Sequence, residues 1–531
     1  MKFGFIIDNR KCIGCHACTV ACKSEHDVPI GVNRTWVKYV EKGEYPNTRR
    51  LFSVMRCNHC EDAPCVTICP VTALHTREDG IVDFDNRRCI GCKSCMQACP
   101  YDALYIDPSN HTAAKCNYCA HRIDIGLEPA CVNVCPEHAI VSGDMDDSQS
   151  EIAQLLAREQ VTSRKVEKGT VPKLFYIEGD ESSLRPSATE QSESYLWSSQ
   201  SRGVGHYAQY AESRKAAADP MQMLEQLAGG TSKKITGPNK SKPADARRVY
   251  DAPSKGVLWG WEVVAYTWTK AIAAGSFLMI FLASLFESTV LPNSLQWLAV
   301  IFSLVFLALT GAFLIKDLDK PSRFAYVLLR PQWNSWLVRG GYAITVYGAL
   351  LTLWGVAKYL EWGWMETLML WVGTLFAIIT ATYTAFLFAQ AKGRDFWQSP
   401  TLSLHMLVHA IMAGAAVFAV LIFLTGNGAQ WNPFVQSTLF ISIALNLIVV
   451  FAEIISSHPT ADAKKTVQMI VSGRYKNLFW QGSLVLGNLI PLILIWTGWG
   501  FLMALGGILL LAGLYITEHI WVNAPQQIQL S

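Results

Sequence analysis

Cys89-Ile90-Gly91-Cys92-Lys93-Ser94-Cys95-Met96-Gln97-Ala98-Cys99-Pro100 decides how this chain is read. Its four cysteines are spaced C-x2-C-x2-C-x3-C and closed by a proline. Cys12, Cys15, Cys18 and Cys22 repeat the spacing. Cys57, Cys60, Cys65 and Cys69, before Pro70, widen one gap to four residues. Cys116, Cys119, Cys131 and Cys135, before Pro136, widen the middle gap to eleven. All sixteen cysteines of the 531 residues fall in these four groups.

Three thiolates on one tight loop cap three irons of a cubane, and a fourth just before a proline ligates the other cluster of a pair. A disulfide framework fits poorly, because adjacent C-x2-C pairs sit too close together for a staple pattern. Zinc knuckles share C-x2-C but not its repeated continuation into C-x3-C-P. Sixteen thiolates at four per cubane predict four [4Fe-4S] clusters. Spacing alone leaves open which cysteine serves which cluster.

The four groups resemble the electron-transfer subunits of molybdenum–bis-pterin oxidoreductases such as dimethyl sulfoxide, polysulfide and tetrathionate reductases. That resemblance covers about residues 1–180. It implies that group one pairs with group four, and group two with group three. Cys12, Cys15, Cys18 and Cys135 would then hold one cluster, and Cys116, Cys119, Cys131 and Cys22 its neighbour. Cys89, Cys92, Cys95 and Cys69 would hold a third, and Cys57, Cys60, Cys65 and Cys99 the fourth.

Around these loops, residues 3–8 and 81–85 read as strands entering the first and third groups, and residues 71–74 and 103–106 as the helix-turn and strand leaving the second and third. Residues 34–54 read as strands of an inserted hairpin or a docking surface, and 173–178 as a closing strand. The N-terminus runs straight into the first motif, without a basic and then apolar leader, so no export signal is expected.

Composition splits the chain. Apolar residues make up 51% and charged residues 16%, but the first half is polar and cysteine-rich and the second is apolar and cysteine-free. Residues 181–254 are first Ser-rich, then Lys-, Gly- and Pro-rich, and read as a flexible tether, with room for a short helix at 220–227. Eight apolar segments of membrane-spanning length follow, near 258–286, 294–315, 340–360, 367–390, 401–425, 434–455, 479–498 and 501–521. Pro491 predicts a kink in the seventh. The fold class is therefore an α+β domain of repeated ferredoxin-like modules (1–180) followed by an all-α bundle of about eight transmembrane helices (255–531).

With eight spans, both termini and the even-numbered loops share one face. That face carries Lys316, Lys320, Arg323, Arg330, Arg339, Lys392, Arg394, Lys464, Lys465, Arg474 and Lys476, against little beyond Lys358 opposite. The positive-inside rule puts the cysteine-rich domain on the cytoplasmic side of a bacterial inner membrane. The competing reading is that the basic loops dock that domain, with an exported partner carrying it across the membrane.

Ionisable residues inside a bilayer are functional candidates. Glu262, Tyr266 and Lys270 recur at four-residue intervals on the first span, and His405 and His409 share a face of the fifth. Glu453 ends the sixth, and Glu518 and His519 end the eighth. Lys270 is expected to pair with Glu262 or Glu453. Glu262, Tyr266, Lys270, His405, His409 and Glu453 form the candidate quinone pocket, open to menaquinone or ubiquinone. Two histidines on one helix do not form the facing pair that a b-haem needs.

The apolar half is similar to the NrfD-like polysulfide-reductase anchors over about 255–521. The matching stretches are Tyr266-Thr-Trp-Thr-Lys-Ala-Ile-Ala-Ala-Gly275, Lys316-Asp-Leu-Asp-Lys-Pro-Ser-Arg-Phe324, Arg330-Pro-Gln-Trp-Asn-Ser-Trp336 and Arg339-Gly340. Relatives carry Gly-Arg where this chain has Asp319-Lys320, which puts the detail of that loop in question. The resemblance implies a haem-free, quinone-linked anchor, here fused to its cluster subunit.

The chain shows no pterin-binding domain, Rossmann fingerprint or nucleophile constellation. The expected function is the electron-transfer and anchor subunit of a molybdenum or tungsten oxidoreductase complex. Its expected partners are a molybdopterin-containing catalytic subunit, the lipid bilayer and the quinone pool, with no nucleic acid. The alternative is an ion-translocating module of a larger quinol-oxidising complex, with Asn446 and Glu287 as weak candidates for a route to the far face.

Overall fold

The computed structural model describes residues 1–43, 46–189, 246–252, 254–286 and 291–531. The helix considered at 220–227, most of the Ser- and Lys-rich stretch and Glu287 lie outside the described residues.

The N-terminal part is a set of small sheets carrying cysteine loops. Phe3–Asp8 runs parallel to Leu174–Ile177 and antiparallel to Ile140–Asp144, with Val161–Thr162 at the edge. The first and last strands of the domain thus meet in one sheet. Thr35–Lys42 and Arg49–Arg56 form the inserted hairpin. Ala246–Tyr250, assigned to the tether by its composition, adds a third strand to it. Two further hairpins, Leu74–Thr76 with Val82–Phe84 and Leu104–Asp107 with Thr112–Lys115, follow the second and third cysteine groups.

Among the described residues, eight helices are long and apolar enough to cross a membrane: Trp261–Phe286, Asn293–Lys316, Trp336–Tyr359, Gly363–Gln390, Leu402–Thr425, Ala429–Ile455, Leu478–Trp496 and Gly500–Gln527. Their outer surfaces keep large apolar side chains exposed, among them Ile301, Val305, Leu368, Ile441, Ile448 and Ile508. Such a girdle is costly in water and matches lipid tails. Exposed Trp362, Trp364, Trp496 and Trp499 mark one rim, and Trp261, Trp333 and Trp480 the other. The protein is a multi-pass membrane protein.

The seventh span changes its winding at the expected proline. Leu478–Leu489 is wound as a π-helix, and the α-helical turn Ile490–Trp496 begins with Pro491 in its first turn. The widened winding before the proline leaves room for its ring and its missing N–H.

The bundle closes through small residues. A Cβ on Gly275 of the first span would overlap the Ala410 carbonyl oxygen of the fifth, and one on Gly414 would overlap that of Gly275. Gly275→Val is therefore expected to force these two central helices apart at a cost of about 3 kcal/mol or more. A lower thermal midpoint in detergent would show it, and an unchanged midpoint would contradict the close crossing.

The cysteine-rich domain sits on the even-numbered loops. The Arg323 guanidinium donates to the Asn86 and Cys89 carbonyls at 2.7 and 2.9 Å, and the Ser335 hydroxyl to Ile68 at 2.7 Å. Arg394 donates to Gln97 at 2.8 Å and to the Ile528 carbonyl at 2.7 Å. Lys168 pairs with Asp395, and Lys465 donates to the Ser187 carbonyl. At Gly91 (φ 71°) a Cβ would stand 2.6 Å from the Cβ of Asp319, so only glycine allows this cysteine loop so close to the membrane loop.

Candidate functional site

Each cysteine loop holds a left-handed, non-glycine residue: His16, His59, Lys93, and Tyr118 with Cys119. That conformation turns successive N–H groups inward. The Cys57 sulfur receives the His59 N–H at 3.5 Å and the Cys69 sulfur that of Ala73 at 3.2 Å. Cys89 receives Gly91 and Ala113, and Cys135 receives Ala139, all at 3.3–3.4 Å. Side chains add to this: His26 Nε2 lies 3.2 Å from the Cys119 sulfur and Arg56 Nη1 3.1 Å from that of Cys131.

None of the sixteen cysteines is joined in a disulfide. One cavity is lined by Cys69, Cys89, Cys92 and Cys95, and another by Cys12, Cys15, Cys18 and Cys135. Cys22 lies in electrostatic reach of Cys116, Cys119 and Cys131, and Cys65 of Cys57, Cys60 and Cys99. Each foursome therefore borrows its fourth cysteine from another loop. The foursomes also follow one another. Cys18 is in reach of Cys131, Cys116 of Cys57, and Cys95 of Cys65.

These residues fit iron–sulfur clusters. Among the described residues no three His, Cys, Asp or Glu converge on a point that would hold a single ion, as a zinc site would require. Instead the sulfurs stand around small cavities and collect N–H donors. Burial pushes Cys18, Cys60 and Cys116 up to about 12, with neighbouring cysteines adding to the rise, so a thiolate there is stable only beside positive charge.

Where this chain of cysteines meets the membrane there is a cavity of about 250 Å³. Ile90, Cys92 and Ser94 form its roof, and its walls come from the first four spans, with Tyr266, Gly341, Thr345 and Tyr383 among them. Asp317 and Leu318, just beyond the second span, line it as well. The Trp259 indole N–H donates to the Cys92 carbonyl at 3.1 Å, and its ring stacks on Phe388 and Trp397. The volume is near the lower end of the ~300–1,000 Å³ of small-molecule sites.

Asp317 stands out chemically. Burial pushes its carboxyl up to about 7, with Glu262 and Asp319 adding to the rise and Lys93 opposing it. The Lys93 ammonium lies 3.8 Å from the carboxylate and donates to the Asp317 carbonyl at 3.0 Å. Sequence reasoning passed over Asp317 as part of a docking loop. The available signal was an acid placed immediately after an apolar span.

The six candidate pocket residues do not come together. Tyr266 lines the cavity, and Glu262 lies within electrostatic reach of Asp317 at its edge. Lys270 sits behind the wall and pairs with neither Glu262 nor Glu453. Its ammonium donates to the Ala381 carbonyl at 3.0 Å and the Thr384 hydroxyl at 2.6 Å, and lies 4.9 Å from the Tyr383 ring centre. Carbonyl and hydroxyl acceptors on the fourth span take its hydrogen bonds, and the Glu518 carboxylate lies within its electrostatic reach.

His405, His409 and Glu453 belong to a second buried network among spans five to eight. His405 Nδ1 lies 2.9 Å from Glu453, which also accepts from Thr401 and the Trp521 indole. His409 bridges Glu518 at 2.8 Å and Asn446 at 3.1 Å, and Asn446 donates to Asn488. Glu518, read as a helix end, is buried. Three of the four imidazole nitrogens are thus engaged by side chains of the bundle.

Comparison with known proteins gives this architecture a family. Residues 251–526, just over half of the chain, match the family described as "Polysulphide reductase, NrfD". Residues 48–145 and 11–74 each match a 4Fe-4S dicluster domain. This protein belongs to the NrfD polysulphide reductase family and carries iron–sulfur cluster domains at its N-terminus. About a third of it is 44% identical to one of the subunits of tetrathionate reductase from Salmonella typhimurium, covering 76% of that protein. A polysulfide reductase chain of Wolinella succinogenes is 44% identical over 94% of its length. The iron–sulfur subunit of the arsenate respiratory reductase of a Shewanella species is 33% identical over 96%.

Proposed function

We propose that this chain carries electrons between a separate molybdenum or tungsten bis-pterin subunit and a membrane quinone. The observation that carries the reading is the shared wall between the Cys69–Cys89–Cys92–Cys95 foursome and the apolar cavity. In this reading residues 1–180 are the cluster domain, 181–254 join it to the bundle, and 255–531 hold the quinone. The foursomes described above each hold one [4Fe-4S] cluster, and the four clusters supply one-electron transfer. Cys15, exposed beside exposed Ile13 and Val134, marks the far end of the series, where the catalytic subunit docks.

A quinol held in the cavity, of menaquinone or ubiquinone type, releases two electrons and two protons. Tyr266 and Tyr383 orient the head group, and the Asp317 carboxylate takes the two protons one after the other, handing each outward by Glu262 before it accepts the next. Reduction of a quinone runs the same groups in reverse.

The same reading puts the cluster domain on the cytoplasmic side. Arg323, Arg394 and Lys465 of the basic face are engaged in docking. The remaining eight lysines and arginines still outweigh Lys358 opposite, which is paired with Glu366.

The buried His405–Glu453 and His409–Glu518–Asn446–Asn488 network favours a second reading, in which the bundle also moves protons. Metal analysis of the complex purified from membranes separates the two. About sixteen irons per chain together with molybdenum or tungsten are expected. Sixteen irons with haem and neither of those metals would favour the ion-translocating module. Zinc in place of iron would sink both.

A further inference from the structure

The junction between the first two foursomes contains a buried cation with donors to spare. Arg56, at the end of strand Arg49–Arg56, is fully buried. Its guanidinium lies 4.5 Å from the Phe5 ring centre and gives one N–H to the Cys131 sulfur. Cys18 of one foursome and Cys116 and Cys131 of the next all lie within its electrostatic reach. Nε and Nη2 have no hydrogen-bond partner, and no carboxylate among the described residues makes an ion pair with it. A buried guanidinium left this way costs several kcal/mol unless anions face it. Lys115, near the next junction, is different, since its ammonium is spent on the Val82 and Cys116 carbonyls.

We infer that Arg56 is a shared counter-charge for the two clusters farthest from the membrane, raising the reduction potentials of both and screening their mutual repulsion. The inference rests on the cluster reading above. A cubane with four thiolates is anionic and gains a further negative charge on reduction. A fixed cation in a dry site favours the reduced form, and donors aimed at sulfur do the same. One cation lying between two such groups acts on both, where a backbone N–H acts on one. It makes the distal pair a better electron acceptor without touching the pair beside the cavity.

The test is a redox titration of the purified complex followed by electron paramagnetic resonance, with signals assigned through single Cys→Ala variants. Arg56→Gln is expected to shift the reduction equilibrium of the two distal clusters at least tenfold toward the oxidised form, about 59 mV each. The two proximal clusters should stay where they are. Arg56→Lys keeps a charge but not the fork, and is expected to give a smaller shift in the same pair. Equal shifts in the two variants, a shift spread over all four clusters, or no shift would overturn the inference. Should Arg56→Gln lose iron, Arg56→Lys decides alone: a downward shift confined to the distal pair sustains the inference, and none overturns it. Unshifted potentials at full iron content would leave the electron-carrier reading standing, whereas an unaltered chain without iron would remove that reading itself.

Discussion

Cys69→Ala is expected to remove the cluster beside the membrane, although Cys69 belongs by sequence to the loop of Cys57, Cys60 and Cys65. Its sulfur lines the cavity of Cys89, Cys92 and Cys95 and accepts the Ala73 N–H at 3.2 Å. Iron should fall from sixteen to about twelve per chain, with one paramagnetic signal lost. That signal should be the one lost in Cys89→Ala and kept in Cys57→Ala. Quinol-linked turnover should fall to background, because the missing cluster is the one whose ligand loop roofs the cavity. A loss matching Cys57→Ala instead would overturn the exchange of ligands between loops two and three. The other loops should keep their iron, since each has its own sulfurs and backbone donors.

Asp317→Asn is expected to slow electron entry from quinol by about a hundredfold or more, the usual scale for losing a positioned proton acceptor. The carboxyl has been pushed up to about 7, chiefly by burial, and its side chain is only 12% exposed. Quinol oxidation needs the carboxylate form. The rate should therefore rise with pH through about 7 and level off above it. The asparagine variant should be slow at all pH values and lack that limb. Stopped-flow reduction of the clusters by a short-chain quinol checks both points. A variant that keeps the pH-dependent rise would remove Asp317 from the proton path and leave the cavity as a binding site only. The reverse reaction, quinone reduction, should weaken as pH rises through the same value, because the protonated acid is then the donor.

The iron–sulfur loops were legible because their chemistry is local. Three cysteines two residues apart, with a left-handed residue and inward N–H groups, form much of a cluster site within one stretch of chain. The spans were legible for a similar reason. Lipid demands about twenty apolar residues wherever a helix crosses it, and all eight segments correspond to helices. The inserted hairpin and the closing strand also stood in their own patterns, Thr35–Lys42 with Arg49–Arg56 and Leu174–Ile177.

Pairings between distant elements were not legible, because periodicity says which face of a helix is polar and not what that face meets. Lys270 is expected to pair with Glu262 or Glu453, yet its hydrogen bonds go to acceptors on the fourth span. His405 and His409 were grouped with Tyr266, yet their face turns to spans six and eight while Tyr266 faces the cysteine loop. Asp317 reads as an ordinary loop acid until the second span, Lys93 and the roof of the cavity enclose it. The strand Ala246–Tyr250 was hidden by the composition around it, since only its pairing with Thr35–Lys42 makes it a strand.

The sequence by itself determined the kinds of groups present: clustered thiolates, eight apolar helices and a basic face between them. Only the tertiary structure decided which groups face one another, where the cluster domain meets the bundle, and that an acid held near neutrality stands beside the third cysteine loop. Ligand chemistry and lipid burial act on neighbouring residues and leave their spacing in the chain. Burial and charge pairing act through space, between residues hundreds of positions apart, and leave no such spacing to read.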